Sequence, residues 1–124
     1  MKRLIAAAIL TVTVIGIYIG GYFVINDVCD NANIMLKDCI NAYNEGENAE
    51  KKAEELEKYW SKKEKILSVF SNHSEIDEIE MAIRLMKLYS KTKENEIFNE
   101  YCGTVKVMLH QMIEDTVPNM HSIF

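Results

Sequence analysis

The chain has 124 residues, enough for one domain, and its 14 basic and 19 acidic side chains give a net charge of −5. All 19 acidic residues but only 12 of the basic ones follow residue 26, so this later part carries a net charge of −7. An acidic domain without a basic stripe argues against nucleic-acid binding.

The first element is an apolar segment long enough to cross a membrane. No charged residue lies between Leu4 and Asn26, and residues 4–25 are almost wholly apolar. As a helix they span roughly 33 Å, against ~30 Å for the hydrocarbon core of a bilayer. A secretory signal has a shorter apolar core and a small-x-small cleavage site, which this run matches poorly. We therefore predict a retained signal anchor.

The charges that flank this segment predict its orientation. Lys2 and Arg3 precede it, whereas Asp27 and Asp30 follow it, so the N-terminus is expected in the cytoplasm. The expected protein is a single-pass protein of the cell membrane, in contact with the lipid bilayer. Its predicted parts are a cytoplasmic tip and span over residues 1–26 and an extracytoplasmic domain over residues 27–124.

Within the span, Gly16 and Gly20 form a G-x-x-x-G motif, which lets two helix backbones approach closely. The motif indicates membrane helix association, either in a homodimer or with a membrane-protein partner. It also arises by chance in a span that contains three glycines, so both interpretations stay open.

After the span, three turn signals separate four segments in which apolar residues recur at steps of three and four. The turn signals are residues 44–48, 71–74 and 91–95. The apolar seams are Val28, Ala32, Met35, Cys39 and Ala42; Ala49, Ala53, Leu56, Trp60, Leu67 and Phe70; Ile76, Ile79, Ile83 and Met86; and Phe98, Tyr101, Val105, Met108 and Met112. We therefore predict an all-α fold, with the transmembrane helix followed by an antiparallel up-down-up-down four-helix bundle.

The start of the third helix has capping chemistry in two frames. Ser74 can cap with Asp77 at the third helical position, or Asn72 can cap with Glu75. Both frames are consistent with the sequence.

Two sets of histidine and carboxylate residues share helical faces, namely His73, Asp77 and Glu80 on the third helix and His110 and Glu114 on the fourth. Such side chains are ligands for zinc or iron. Their helical phases, however, place them on outer polar stripes, where Glu80 and Arg84 have the i,i+4 spacing of an ion pair. We therefore predict no metal site, no cofactor and no catalytic residue.

The third helix also carries a second apolar row, formed by Met81, Leu85 and Leu88. We expect the bundle to bury this helix on two sides. The alternative is an exposed patch that binds a partner.

Three cysteines allow at most one internal disulfide. Cys39 and Cys102 both fall about 10–14 Å below the distal end of the bundle at ~1.5 Å per residue, on neighbouring helices. We predict that they pair if oxidised. Cys29 would then be a lone thiol just outside the membrane, either free or bridging a dimer.

The run WSKKEKILSVFSNHSEIDEIEMAI, from Trp60 to Ile83, resembles a family of small signal-anchored proteins of unknown function from Gram-positive, mostly anaerobic bacteria. The resemblance is carried by Trp60, Leu67, Ser68, Phe70, Asn72, His73, Asp77, Ile79, Glu80, Ile123 and Phe124. Members often have Asn where this chain has Ser122. The resemblance implies a bacterial membrane protein with an extracytoplasmic helical domain, and it implies no activity.

These observations favour a non-enzymatic interaction or accessory module. The alternative is an extracytoplasmic sensor or a bundle that binds a small ligand. The candidate structural residues are Trp60, Phe70, Asp77, Cys39 and Cys102, and the candidate residues for membrane helix association are Gly16 and Gly20.

Overall fold

A computed structural model describes the backbone of residues 1–121 and the side chains of residues 1–115. These residues form four helices and no strand: α1 (Lys2–Asn44), α2 (Ala49–Phe70), α3 (His73–Tyr89) and α4 (Asn95–His121). The all-helical fold predicted from the apolar periodicity is thus confirmed. Ser122, Ile123 and Phe124, which belong to the resemblance above, lie outside the described residues.

Helix α1 is one continuous helix of 43 residues, with no break where the apolar segment ends. Up to Ile19 its side chains are exposed, apart from a half-buried Ile15, whereas its inner face is buried from Gly21 onward. Among the described helices it is the one long and apolar enough to cross a membrane, as a membrane anchor or a signal sequence would be. Packing therefore begins inside the predicted span, before the predicted boundary after residue 26.

The four helices pack as a closed ring. Helix α1 contacts α2 and α4, and α3 contacts the same two helices, whereas the described parts of diagonal helices do not pack directly. The side chains that fill the centre include Trp60, Phe98, Leu36, Leu56 and Ile79, all 0–1% exposed. Each helix thus has one face toward the core and one outer face.

The predicted seams match the buried faces except at Met35 on α1, Phe70 on α2, and Tyr101 and Met108 on α4, which are half-buried. All four seam residues of α3 are buried. On α1, however, Leu36 is buried and Met35 only half-buried, and on α4 Leu109 is buried deeper than Met108. At Met35, Tyr101 and Met108 the buried residue is the next one along the helix, namely Leu36, Cys102 and Leu109.

The helix ends use the capping residues that the sequence offers. In the connection between α1 and α2, Gly46 has a φ of +74°, which glycine adopts without strain. Asn48 caps α2 by accepting a hydrogen bond from the Lys51 amide at 3.2 Å. Asn72 caps α3 by accepting one from the Ser74 amide at 2.8 Å. Of the two capping frames at α3, the structure therefore has the one that starts at Asn72.

Candidate functional site

Trp60 is the largest side chain of the core and joins α2 to α3. It is fully buried, and its Nε1–H donates a hydrogen bond of 3.1 Å to the carbonyl oxygen of Ile76. This bond satisfies the one polar atom of the indole, which would otherwise be costly to bury. Trp60 thus lies in the core and links α2 to α3.

Phe70 ends α2 and lies against α1 at Gly21. A Cβ atom added at Gly21 would lie 2.5 Å from Cδ1 of Phe70, so the ring occupies the space that a larger residue would need. The ring is half-buried, and the neighbouring Val69 is 72% exposed. This contact fixes the height at which the end of α2 meets α1.

Cys39 and Cys102 face each other between α1 and α4. The ring of Tyr43 stacks on Phe98 with 4.0 Å between the centroids, and the two cysteines lie one turn along from these rings on their respective helices. Burial raises the pKa of Cys39 to about 11, and burial together with the nearby Cys39 thiolate raises the pKa of Cys102 to about 12. At neutral pH both groups are therefore thiols, and the Cys39 thiol donates a weak hydrogen bond to the Ala49 carbonyl at 3.4 Å.

Of the two alternatives for Cys29, the one in which it bridges a dimer is wrong, and the cysteine is free. Cys29 is 0% exposed, because α1 already packs into the bundle from Gly21 and Cys29 lies on its inner face with Val28 and Ala32. Burial, followed by the negative charges of Asp30 and Glu75, raises its pKa to about 12. In this fold a second chain cannot reach the thiol.

The histidine and carboxylate sets lie on outer faces, as their helical phases predict. Glu80 accepts a hydrogen bond of 2.8 Å from Arg84, which confirms that predicted ion pair, while His73 and Asp77 are exposed. Nε2 of His110 lies 2.9 Å from Oε1 of Glu114 on the surface of α4. Within residues 1–115, no three His, Cys, Asp or Glu side chains converge in a way that could hold a metal ion.

Two pairs of carboxyl groups between helices were missed by the sequence reasoning. A hydrogen bond with Glu80 on α3 is the main cause that raises the pKa of Glu64 on α2 to about 7, helped by burial and by the charges of Glu80 and Asp77. Burial and a hydrogen bond with Asp115 on α4 raise the pKa of Glu75 on α3. Each pair holds a shared proton more tightly than an isolated carboxyl group would.

The apolar row on α3 is exposed, so the expectation of burial on two sides is wrong. Met81 and Leu88 are 55% and 54% exposed, and Leu85 is half-buried. The physical reason is the ring arrangement, in which α3 turns its core face to α2 and α4 and leaves its opposite face uncovered. Beside Leu88 lies a shallow groove of about 320 Å³, lined by Glu57, Arg84, Lys87, Leu88 and Lys91.

Gly16 and Gly20 are open to an approaching helix. A Cβ atom added at either glycine would meet no atom of the described chain within 4 Å. At ~100° per residue, Phe23, Asp27 and Ile34 lie on the same side of α1, and all three are exposed. The glycine face of the span therefore continues as the outer face of the bundle.

A comparison with known protein families matches nearly the same part of the chain that forms the bundle. The sequence profile of a domain of unknown function, DUF4363, matches residues 20–123, which is most of the chain. The chain belongs to the DUF4363 family. The match begins at Gly20, next to the residue where α1 starts to pack, so the DUF4363 domain corresponds to the bundle and not to the exposed half of α1. It confirms the resemblance to a family of unknown function. No curated protein and no solved structure matches the chain.

Proposed function

We propose that this DUF4363 protein is a single-pass membrane protein whose extracytoplasmic helical bundle is a non-enzymatic interaction or accessory module. The observation that carries the proposal is the uncovered apolar half of α1. Its side chains include Leu4, Ile9, Leu10 and Val12, which are 62–77% exposed. A contiguous apolar surface of this length is unfavourable in water and fits the core of a bilayer.

The orientation follows from the flanking charges. Lys2 and Arg3 stay on the cytoplasmic side, and the acidic bundle lies outside. The family resemblance adds a Gram-positive, mostly anaerobic bacterial origin, so this outer side is the cell surface or the wall space.

The bundle is antiparallel, up-down-up-down. Its connections are short, with four residues between α1 and α2, two between α2 and α3, and five between α3 and α4. Two contacts support the α1–α2 register: Phe70 lies against Gly21, and Tyr59 accepts a hydrogen bond of 3.2 Å from Asn31. These contacts fit antiparallel helices, in which residues later in α1 lie level with residues earlier in α2.

The interaction role is supported by the outer row on α3. Met81 and Leu88 expose apolar surface on the side of the bundle that faces away from the core. Exposed apolar side chains in a row along a helix favour a protein partner. We expect that partner to be another membrane protein, because the span confines the bundle to the membrane surface.

Retention of the span is tested by the intact mass of the mature protein and by protease treatment of right-side-out vesicles. We expect a mass that includes residues 1–26, and digestion of the bundle by protease added outside. A mature N-terminus between residues 17 and 30 would overturn the proposal.

The accessory role is tested by crosslinking mass spectrometry in native membranes. A photo-crosslinker at Met81 should join α3 to one recurrent membrane protein, whereas the same group at Lys106, an exposed polar position on α4, should not. Equal labelling of many proteins from both positions would contradict a dedicated partner surface.

The groove between α2 and α3 favours a second candidate function, the binding of a small anionic ligand. Its three basic residues, Arg84, Lys87 and Lys91, stand beside the apolar side chain of Leu88. Lys87 and Lys91 already pair with Glu57 and Glu50 at 3.9 and 3.1 Å, so a ligand would have to replace these contacts. Thermal stabilisation by small dicarboxylates or phosphate, lost in Lys87→Gln, would support this function.

A further inference from the structure

The end of α2 exposes apolar side chains at the edge of the bundle nearest to the span. Ile66 and Val69 are 43% and 72% exposed, and Phe70 is half-buried against Gly21. We call Ile66, Val69 and Phe70 the apolar corner. On α1, Phe23 is 64% exposed at nearly the same height but on another side of the helix, so apolar side chains of both α1 and α2 are exposed at this level.

The contact with Gly21 gives the height of the apolar corner above the cytoplasmic end of the span. Gly21 lies 17 residues after Leu4 on an unbroken helix, or about 26 Å at ~1.5 Å per residue. The hydrocarbon core of a bilayer is ~30 Å thick. If the core begins at Leu4, the ring of Phe70 therefore lies inside it, in the outer leaflet.

The residues that precede the apolar corner suit the headgroup region. Lys62, Lys63 and Lys65 lie five to eight residues before Phe70, which places them about 3–8 Å beyond the hydrocarbon core. Headgroups extend roughly 5–7 Å on each side of the core. Lysine side chains at this depth keep an apolar stem in the membrane and an ammonium group among the phosphates.

The other helices carry acidic groups at this height, so the lysines mark α2 as the side of the bundle that fits the headgroups. Asp27 and Asp30 occupy the corresponding part of α1, and Glu80, which meets Glu64 of α2, occupies that of α3. Farther up, the Asn31–Tyr59 hydrogen bond lies about 40 Å from Leu4, well outside the core.

We infer that the apolar corner is a membrane-insertion site: Val69 and Phe70 enter the acyl-chain region of the outer leaflet beside the span, and Ile66 lies at its outer edge. The inference rests on the proposed function, because it uses the span as the reference for depth. The edge of the bundle nearest to the span then lies within the membrane surface, and no exposed stretch of α1 separates the bundle from the bilayer.

The test uses the full chain in phospholipid bilayers, with a nitroxide on one introduced cysteine. The native cysteines are 0–3% exposed and do not compete for the label in the folded protein. Val69→Cys reports on the apolar corner. Leu88→Cys is the matched control, because Leu88 is 54% exposed but lies 15 residues above His73, about 22 Å higher. Ile9→Cys reports on the span.

We expect collisions with oxygen to exceed those with a water-soluble nickel chelate at positions 69 and 9, and the reverse at position 88. A label at 69 that behaves like the one at 88, while position 9 is in lipid, would overturn the inference and leave the anchor standing. A label at 69 shielded from both reagents would mean that protein covers the corner, which also overturns it. Water access at position 9 would overturn the proposed function and the inference together.

Discussion

Trp60 is held by packing and by one hydrogen bond, and substitutions can separate the two. Trp60→Ala removes both and should lower the free energy of unfolding by about 3–5 kcal/mol. Trp60→Phe keeps most of the apolar volume but loses the bond to the Ile76 carbonyl, so we expect a smaller loss near ~1 kcal/mol for the bond itself. Denaturation of the full chain in detergent, followed by circular dichroism, measures both.

The control for Trp60 is Ser61→Ala, the next residue, which is exposed. It should change the stability little. A loss below about 1 kcal/mol for Trp60→Ala would contradict a core position for the indole.

Gly20 and Gly21 are adjacent glycines with opposite surroundings. Gly21→Ala places a methyl group against the Phe70 ring and should destabilise by about 1–3 kcal/mol through overpacking. Gly20→Ala meets no atom within 4 Å and should be neutral or stabilising, since alanine favours helix. Thermal unfolding in the same detergent compares them. Phe70→Ala should remove the penalty of Gly21→Ala, and a penalty that persists would refute this cause.

At the residue scale, the sequence predicts the environment of a side chain when the residues that determine this environment are close to it in the chain. The burial of Trp60 follows from its place on an apolar stripe, and the capping role of Asn72 was one of two local choices. The Gly21–Phe70 contact and the Glu64–Glu80 pair join residues that are distant in sequence. They depend on the vertical register of two helices, which no pattern within one helix fixes.

At the scale of helix pairs, the α2–α3 interface should respond to pH. The pKa of Glu64 rises from 4.5 to about 7, so between these values the folded chain holds a proton that the unfolded chain has released. This contribution to stability is complete below pH 4.5 and is lost as the pH rises through about 7. Arg84 faces the same group and partly opposes the shift.

We therefore expect a higher denaturation midpoint at mildly acidic pH than at slightly alkaline pH, and a weaker dependence in Glu64→Gln. The raised pKa of Glu75 beside Asp115 acts in the same direction between α3 and α4. Glu64→Gln combined with Glu75→Gln should remove most of the remaining slope. Asp38→Asn, at an exposed site on α1, is the control. A midpoint that rises with pH would contradict the assignment.

The α1–α4 interface should form one disulfide under a mild oxidant such as diamide. Cys39 and Cys102 lie opposite each other one turn from the stacked rings of Tyr43 and Phe98, so we expect a Cys39–Cys102 bond and an unmodified Cys29. Peptide mapping without reduction detects it. In Cys102→Ser, Cys39 should remain a thiol. A bond that includes Cys29 in the folded monomer would contradict this packing.

At this scale the sequence predicted the helices and most of their core faces, because burial repeats with the period of the helix. It failed for the outer row of Met81, Leu85 and Leu88. A helix with two apolar rows can have neighbours on two sides or an uncovered row. Only the closed ring of four helices shows that the neighbours of α3 leave this row exposed.

At the scale of the whole molecule, two copies should associate through the span. Gly16 and Gly20 are open and allow the backbones to approach closely. Gly16→Leu with Gly20→Leu should lower the dimer fraction in bilayers, measured by crosslinking or energy transfer between labelled chains. Ala7→Leu, on the opposite side of the same helix, is the control. An equal dimer fraction in both variants would exclude this face.

The sequence also predicted an apolar N-terminal helix followed by a helical domain, from its uncharged apolar run and the apolar periodicity after it. It placed the boundary after residue 26, where the first acidic residue follows. Packing begins at Gly21, inside that predicted segment, because apolar side chains can pack either against lipid or against other helices. Hydropathy therefore cannot separate the last turns of a span from the first turns of a core.

Because α1 is unbroken, it connects the proposed span rigidly to the bundle. With no loop, proline or glycine between Tyr22 and Asn44, the helix has no evident hinge where the two parts meet. A tilt of the bundle by about 10° would move the opposite end of a ~30 Å span sideways by about 5 Å. In the proposed orientation Lys2 and Arg3 stand at that end, so a load applied to the bundle outside the cell would be delivered as a lateral displacement of two positive charges on the cytoplasmic face.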